Sequence, residues 1–133
     1  MSTALQARPI RIGIDRPVTE VYAFAHAPEN FPRWAAGLGA GLTRDGDVWI
    51  AHGPDGDVKV RFSPENAFGV LDHWVTLADG TEISIPLRVV ANGGGAEVTL
   101  TLFRLPTMDD AMFERDASMV AKDLAVLKAL LET

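Results

Sequence analysis

The clearest pattern in the chain is at its end. From Asp109 to Glu132 there is no Gly or Pro, and Phe113, Ala117, Val120, Leu124, Leu127 and Leu131 recur at spacings of four and three. That periodicity predicts one long amphipathic helix, ~36 Å at 1.5 Å per residue. Its stripe is too apolar to face water alone, so the preceding segments have to grip it. Those segments read differently. Arg8 to Ile14 alternates, with Ile10, Ile12 and Ile14 on one face, as a half-buried strand does. Pro17 starts a short helix with Val18, Val21, Tyr22 and Ala25 on its apolar side, and Pro28 stops it. A second short helix, Glu29 to Ala36, carries Phe31 and Trp34 and ends at the Gly-rich run from Gly37 to Gly41.

After that run the period changes to two. Val48–Ala51, Val58–Phe62, Val70–Leu77, Glu82–Val90 and Glu97–Phe103 predict strands, with Leu42–Arg44 as a further short one. Asp79-Gly80 and Asn92-Gly93 are hairpin turns, and connections this short make neighbouring strands antiparallel. The expected class is α+β: a curved antiparallel sheet of six to seven strands, two short helices after the first strand, and the long helix as cover. A helix lying across a curved sheet leaves a hollow, and the hollow is the expected site of function.

Composition narrows the classes. The 133 residues suit a single domain over 1–133, with 1–7 loose. A net charge of −6 and no pair of adjacent Lys or Arg residues argue against nucleic acid as a partner. With no cysteine there is no disulfide, thiol nucleophile or thiolate metal site. No signal peptide and no membrane span is visible, so the expected location is the cytoplasm.

Three segments carry a family resemblance: Ile10-Arg11-Ile12 with Arg16-Pro17-Val18-Thr19-Glu20-Val21-Tyr22-Ala23-Phe24; Pro28-Glu29-Asn30-Phe31-Pro32-Arg33-Trp34; and Thr101-Leu102-Phe103-Arg104 leading into Asp109-Asp110-Ala111-Met112-Phe113. Together they resemble the START-related, birch-pollen-allergen-like (SRPBCC) superfamily, in its polyketide-cyclase-like bacterial branch. The resemblance covers nearly the whole chain and implies the helix-grip fold. It also implies an internal cavity for a small hydrophobic or amphipathic molecule, used for binding or for cyclase or dehydratase chemistry. A third implied role is an interaction module, like the related activators of the heat-shock ATPase. No cofactor is implied, and no catalytic motif carries over.

The candidate site residues are those the pattern turns indoors. His73 shares parity with Leu71, Val75 and Leu77. It serves either as a general acid or base or ligand hydrogen-bonder, or as a core histidine satisfied by a backbone carbonyl. Asp116 and Asp123 are seven apart, at the edge of the apolar arc, and call for partners among Arg88, Arg104, His73 and backbone N–H groups. An Asp116–His73 pair would polarise the imidazole; the alternative is a structural anchor. His73 and Asp116 are therefore the catalytic candidates. Trp34 and Phe113 are expected as walls, with Met112 and Val120 beside them, and Met108 and Met119 flank the same region. His26, His52 and His73 lack metal-ligand spacing, so no metal is expected. Trp49 or Trp74 on an exposed strand face leaves a homodimer open.

Overall fold

The computed structural model describes residues 3–35, 41–53 and 56–133. Ala36, the Gly-rich run at 37–40 and Pro54-Asp55 lie outside the described residues. The order of elements is β1 (Ala7–Ile14), α1 (Val18–His26), a 3-10 turn (Pro28–Asn30), α2 (Phe31–Trp34), β2 (Leu42–Asp45), β3 (Val48–Gly53), β4 (Gly56–Phe62), β5 (His73–Thr76), β6 (Glu82–Ile85), β7 (Leu87–Asn92), β8 (Gly95–Phe103) and α3 (Asp110–Glu132). The class is α+β. All strand pairs are antiparallel, in two sheets: β1-β8-β7 and β2-β3-β4-β5-β6.

The eight strands among the described residues exceed the six to seven expected, because one predicted strand is two. The run Glu82–Val90 breaks at Pro86 into β6 and β7, which belong to different sheets. Proline has no N–H to give a ladder, so a central strand cannot pass through it unbroken. The run Val70–Leu77 switches partners at the same corner. Its first half lies against β7, through Leu71 N–H to Leu87 O (2.8 Å) and Val89 N–H to Gly69 O (3.0 Å). Its second half, β5, lies between β4 and β6. Gly69 sits at φ +72, and a Cβ there would collide with the Val89 carbonyl, so the close approach needs glycine. Asp72 ties the corner by accepting from the Leu87 N–H (2.9 Å) and from the Arg88 guanidinium (2.9 and 3.2 Å). Thr101 N–H to Pro86 O (3.0 Å) then joins the corner to β8.

The second predicted helix shrinks to the 3-10 turn and one turn of α2, which still buries Phe31 and Trp34. α3 begins where the sequence predicts. The Asp109 side chain caps it by accepting from Met112 N–H at 2.8 Å. Phe113, Ala117, Leu124, Leu127 and Leu131 are buried along its stripe. Leu124, Leu127 and Leu131 pack in one cluster with Ile14, Leu87, Val98 and Leu100, so the solid core lies between α3 and the three-stranded sheet. α1 closes that sheet beside β7 and β8. No described helix is long and apolar enough to cross a membrane.

Candidate functional site

α3 crosses the three-stranded sheet with its stripe and leaves the five-stranded sheet less covered. Between that second sheet and α3 lies a cavity of about 330 Å³. Its sheet wall is Val58 of β4, Val75 of β5, and Ile83 and Ile85 of β6; Leu100 and Leu102 of β8 form another side. The register explains this set. Phe62 pairs with His73, which pairs with Ile85, and Val60 pairs with Val75, which pairs with Ile83, so all of these share one face. Asp116, Met119, Val120, Asp123 and Leu124 supply the α3 side. Phe31, Trp34 and His73 close the inner end. The volume falls in the range of small-molecule pockets, and the lining is mostly apolar, as in such pockets.

His73 is the one buried polar or charged residue among the described residues, at 5% exposure. Its ring is flanked edge-on by Phe31 (5.1 Å between centroids) and at a tilt by Phe62 (5.9 Å). Burial holds the imidazole below its ordinary pKa, against the opposing pull of the Leu71 carbonyl and of Asp72. His73 is thus neutral near pH 7. Nδ1 lies 3.2 Å from Leu71 O. A carbonyl only accepts, so this contact assigns the ring proton to Nδ1 and leaves the Nε2 lone pair free to accept. Trp34 supplies the complement. Its indole Nε1–H is buried and has no hydrogen-bond partner among the described residues. Buried donors are normally paired, so this one marks a place where a ligand oxygen would be welcome.

Four of the six expected lining residues, Trp34, His73, Asp116 and Val120, meet at the cavity. Met112 and Phe113 do not line it. The first turn of α3 is held at the outer end of β1 and β8, where Arg8 pairs with Glu114 (2.6 Å) and Arg104 with Asp110 (2.7 Å). There Phe113 is buried beneath two guanidinium groups, Arg8 at 4.8 Å and Arg104 at 5.8 Å, and Met112 faces solvent. The cavity face of α3 starts one turn later, at Asp116. His73 and Asp116 share the cavity, but no hydrogen bond or ion pair joins them among the described residues. The expected arginine partners are engaged elsewhere: Arg88 holds Asp72, and Arg104 donates to Met108 O (3.2 Å) and Asp110.

Sequence reading alone passed over Phe31, Val75, Ile83, Ile85, Leu100 and Leu102 as site residues. Strand alternation carried the signal for the last five; the edge-on contact of Phe31 with His73 had none. Met108 and Met119 line the cavity. His52 makes two contacts, to Thr43 Oγ1 and Asp57 Oδ1, each 2.9 Å. His26 stacks on Tyr22 with centroids 5.1 Å apart. Trp49 and Trp74, the aromatics suggested for a dimer face, each lie under a guanidinium, Arg44 at 5.8 Å and Arg61 at 4.3 Å.

The two sheets curving toward a long terminal helix with a cavity between decide the architecture. The chain has the helix-grip fold. The same fold is found in solved structures of low sequence identity. A protein of the dynemicin biosynthetic locus, DynU16, superposes with a TM-score of 0.74 at 16% identity, over 96% of this chain and 47% of that one. This chain therefore spans about half of DynU16. The Aha1 dimer from Colwellia psychrerythraea gives 0.74 at 16% identity, covering 96% and 97%. Ara h 8.0201 gives 0.71 at 10% identity, covering 96% and 98%. No protein-family model and no curated protein sequence matches the chain. These likenesses show the fold alone, and it is the fold that the resemblance of the sequence segments implies.

Proposed function

We infer that this helix-grip protein binds a small hydrophobic or amphipathic molecule in the cavity between the five-stranded sheet and α3. One observation carries the reading: an apolar cavity of about 330 Å³ whose inner end holds a neutral histidine with a free lone pair and an indole N–H without a partner. Apolar walls supply affinity and the two polar groups set orientation. The protein is taken to work as a single domain in the cytoplasm, where a chain without cysteine is at no disadvantage. The small ligand is its partner, and a homodimer is not needed to complete the cavity.

Native mass spectrometry of protein purified from its own host tests this. A retained small molecule is expected in the natural protein and is expected to be missing from Val75→Trp, which fills the cavity from β5. A natural protein that carries no adduct and takes up no apolar compound overturns the reading.

The free Nε2 of His73 supports a second reading, in which the cavity performs cyclase or dehydratase chemistry. A neutral imidazole in an apolar site can take a proton from a bound substrate. Asp116 would then act on the substrate directly rather than through His73, since the two are not bonded. His73→Ala separates the readings. A carrier keeps its affinity and loses nothing else; an enzyme keeps affinity and loses turnover.

A further inference from the structure

Two polar atoms at the inner end of the cavity are left over, and they are of opposite kind. Trp34 Nε1–H is a buried donor with no hydrogen-bond partner among the described residues. His73 gives its Nδ1–H to Leu71 O at 3.2 Å, and no other hydrogen bond among the described residues uses the ring, so Nε2 is an acceptor. Both residues line the cavity, and both are nearly closed to solvent, at 4% and 5% exposure. Phe31 touches both, with ring centroids 4.8 Å from Trp34 and 5.1 Å from His73, so the indole and the imidazole are neighbours of one phenyl ring. Phe31 itself has no polar side-chain atom to satisfy either.

The pair discriminates among ligand end groups. Any water that fills this end bonds both atoms, and a ligand that displaces it has to do the same or lose affinity. A hydrocarbon end answers neither. An ether or ketone oxygen accepts from Trp34 but leaves Nε2 without a donor. A carboxylate brings a charge to an apolar end that holds one free donor, and an ammonium brings a charge and no lone pair for the indole. A hydroxyl accepts from the indole, donates to the imidazole and stays neutral.

We propose that the cavity selects an alcohol or phenol: an apolar body against the wall of β4, β5 and β6, and a hydroxyl at the closed end that accepts from Trp34 Nε1–H and donates to His73 Nε2. The inference rests on the ligand-binding reading above and names the chemical class for it.

Isothermal titration at pH 7.5 with 2-naphthol, 2-methoxynaphthalene and 2-methylnaphthalene tests it, because the three share a ring system and differ in what they donate and accept. 2-Naphthol is expected to bind about ten-fold more tightly than 2-methylnaphthalene, with the ether between, since a site that hydrogen-bonds a hydroxyl rejects the analogue lacking it. In Trp34→Phe the preference should shrink to about three-fold or less. Nitrogen-15 NMR of the natural protein needs no variant: the His73 Nε2 resonance should move further with 2-naphthol than with either analogue. Either analogue binding as tightly as 2-naphthol overturns the proposal and leaves the ligand-binding reading standing. A preference that survives Trp34→Phe in full also overturns it, as does an Nε2 resonance that responds to all three compounds alike. If none of the three binds, the ligand-binding reading falls with it.

Discussion

The two sheets meet the same helix in opposite ways. Against β1-β8-β7, α3 sets Leu127 and Leu131 into a buried cluster, with Leu124 at the border between that cluster and the cavity. Against β2–β6 it sets Asp116, Met119, Val120 and Asp123 along the edge of a hollow. One side of the helix holds the fold together and the next holds the space. A single amphipathic segment can therefore be read twice, as a stability element by its buried leucines and as a binding element by residues nearer its N-terminal end and about 60° around from them.

Substitutions on the two sides should separate. Leu127→Ala, at a position with 0% exposure in the packed half, is expected to cost about 2–5 kcal/mol by chemical denaturation. Val120→Ala, on the cavity side, should cost under about 1 kcal/mol, because its methyl groups already border empty space. Equal losses at the two positions would erase the distinction. Next in size is the corner between the sheets. Asp72→Ala removes the acceptor of Leu87 N–H and of Arg88 and leaves a backbone donor unpaired, for an expected ~1–3 kcal/mol. Asp109→Ala removes only the cap of α3, and ~1 kcal/mol is expected.

The smallest effect is the most specific to the hollow side. His73 titrates below its ordinary value in the folded protein because burial opposes its charge. The unfolded chain takes up that proton near the ordinary value of about 6.5, and the folded one does so only at lower pH. Stability from this group is complete above about 6.5 and declines as pH falls from there toward the folded value. His73→Phe should flatten the fall in melting temperature across that interval. Asp72 gives a separate, lower step. Burial alone would raise its carboxyl, but hydrogen bonds from Arg88 and the Leu87 N–H outweigh it and hold it below the usual range. Its contribution is therefore lost only as pH drops through that lowered value.

Much of this was legible in the sequence, for reasons that can be named. The α3 stripe is a long-period signal over many residues with no Gly or Pro among them, so the helix was readable. The inward face of His73 followed from its parity with Leu71, Val75 and Leu77. Pro86 was visible as a strand breaker but was passed over inside an otherwise good run of alternation. Met112 and Phe113 were misplaced because periodicity fixes which residues share a face, and not where along its length a helix leaves the sheet. That point is set by Arg8, Glu114, Arg104 and Asp110, contacts between residues far apart in the chain. The partners of Asp72 and the isolation of Asp116 from His73 depend on the corner at Pro86, which no local pattern describes.

The corner has a consequence for how such a protein can change. One residue, Pro86, joins the packed half to the hollow half, and the turn there is fixed by backbone bonds and by Asp72 rather than by any side chain that lines the interior. The span between roof and floor is thus independent of what coats them. Val58, Val75, Ile83 and Ile85 are free to be exchanged for other shapes while the shell keeps its dimensions, so a new occupant can be accommodated by recoating the walls without rebuilding the house.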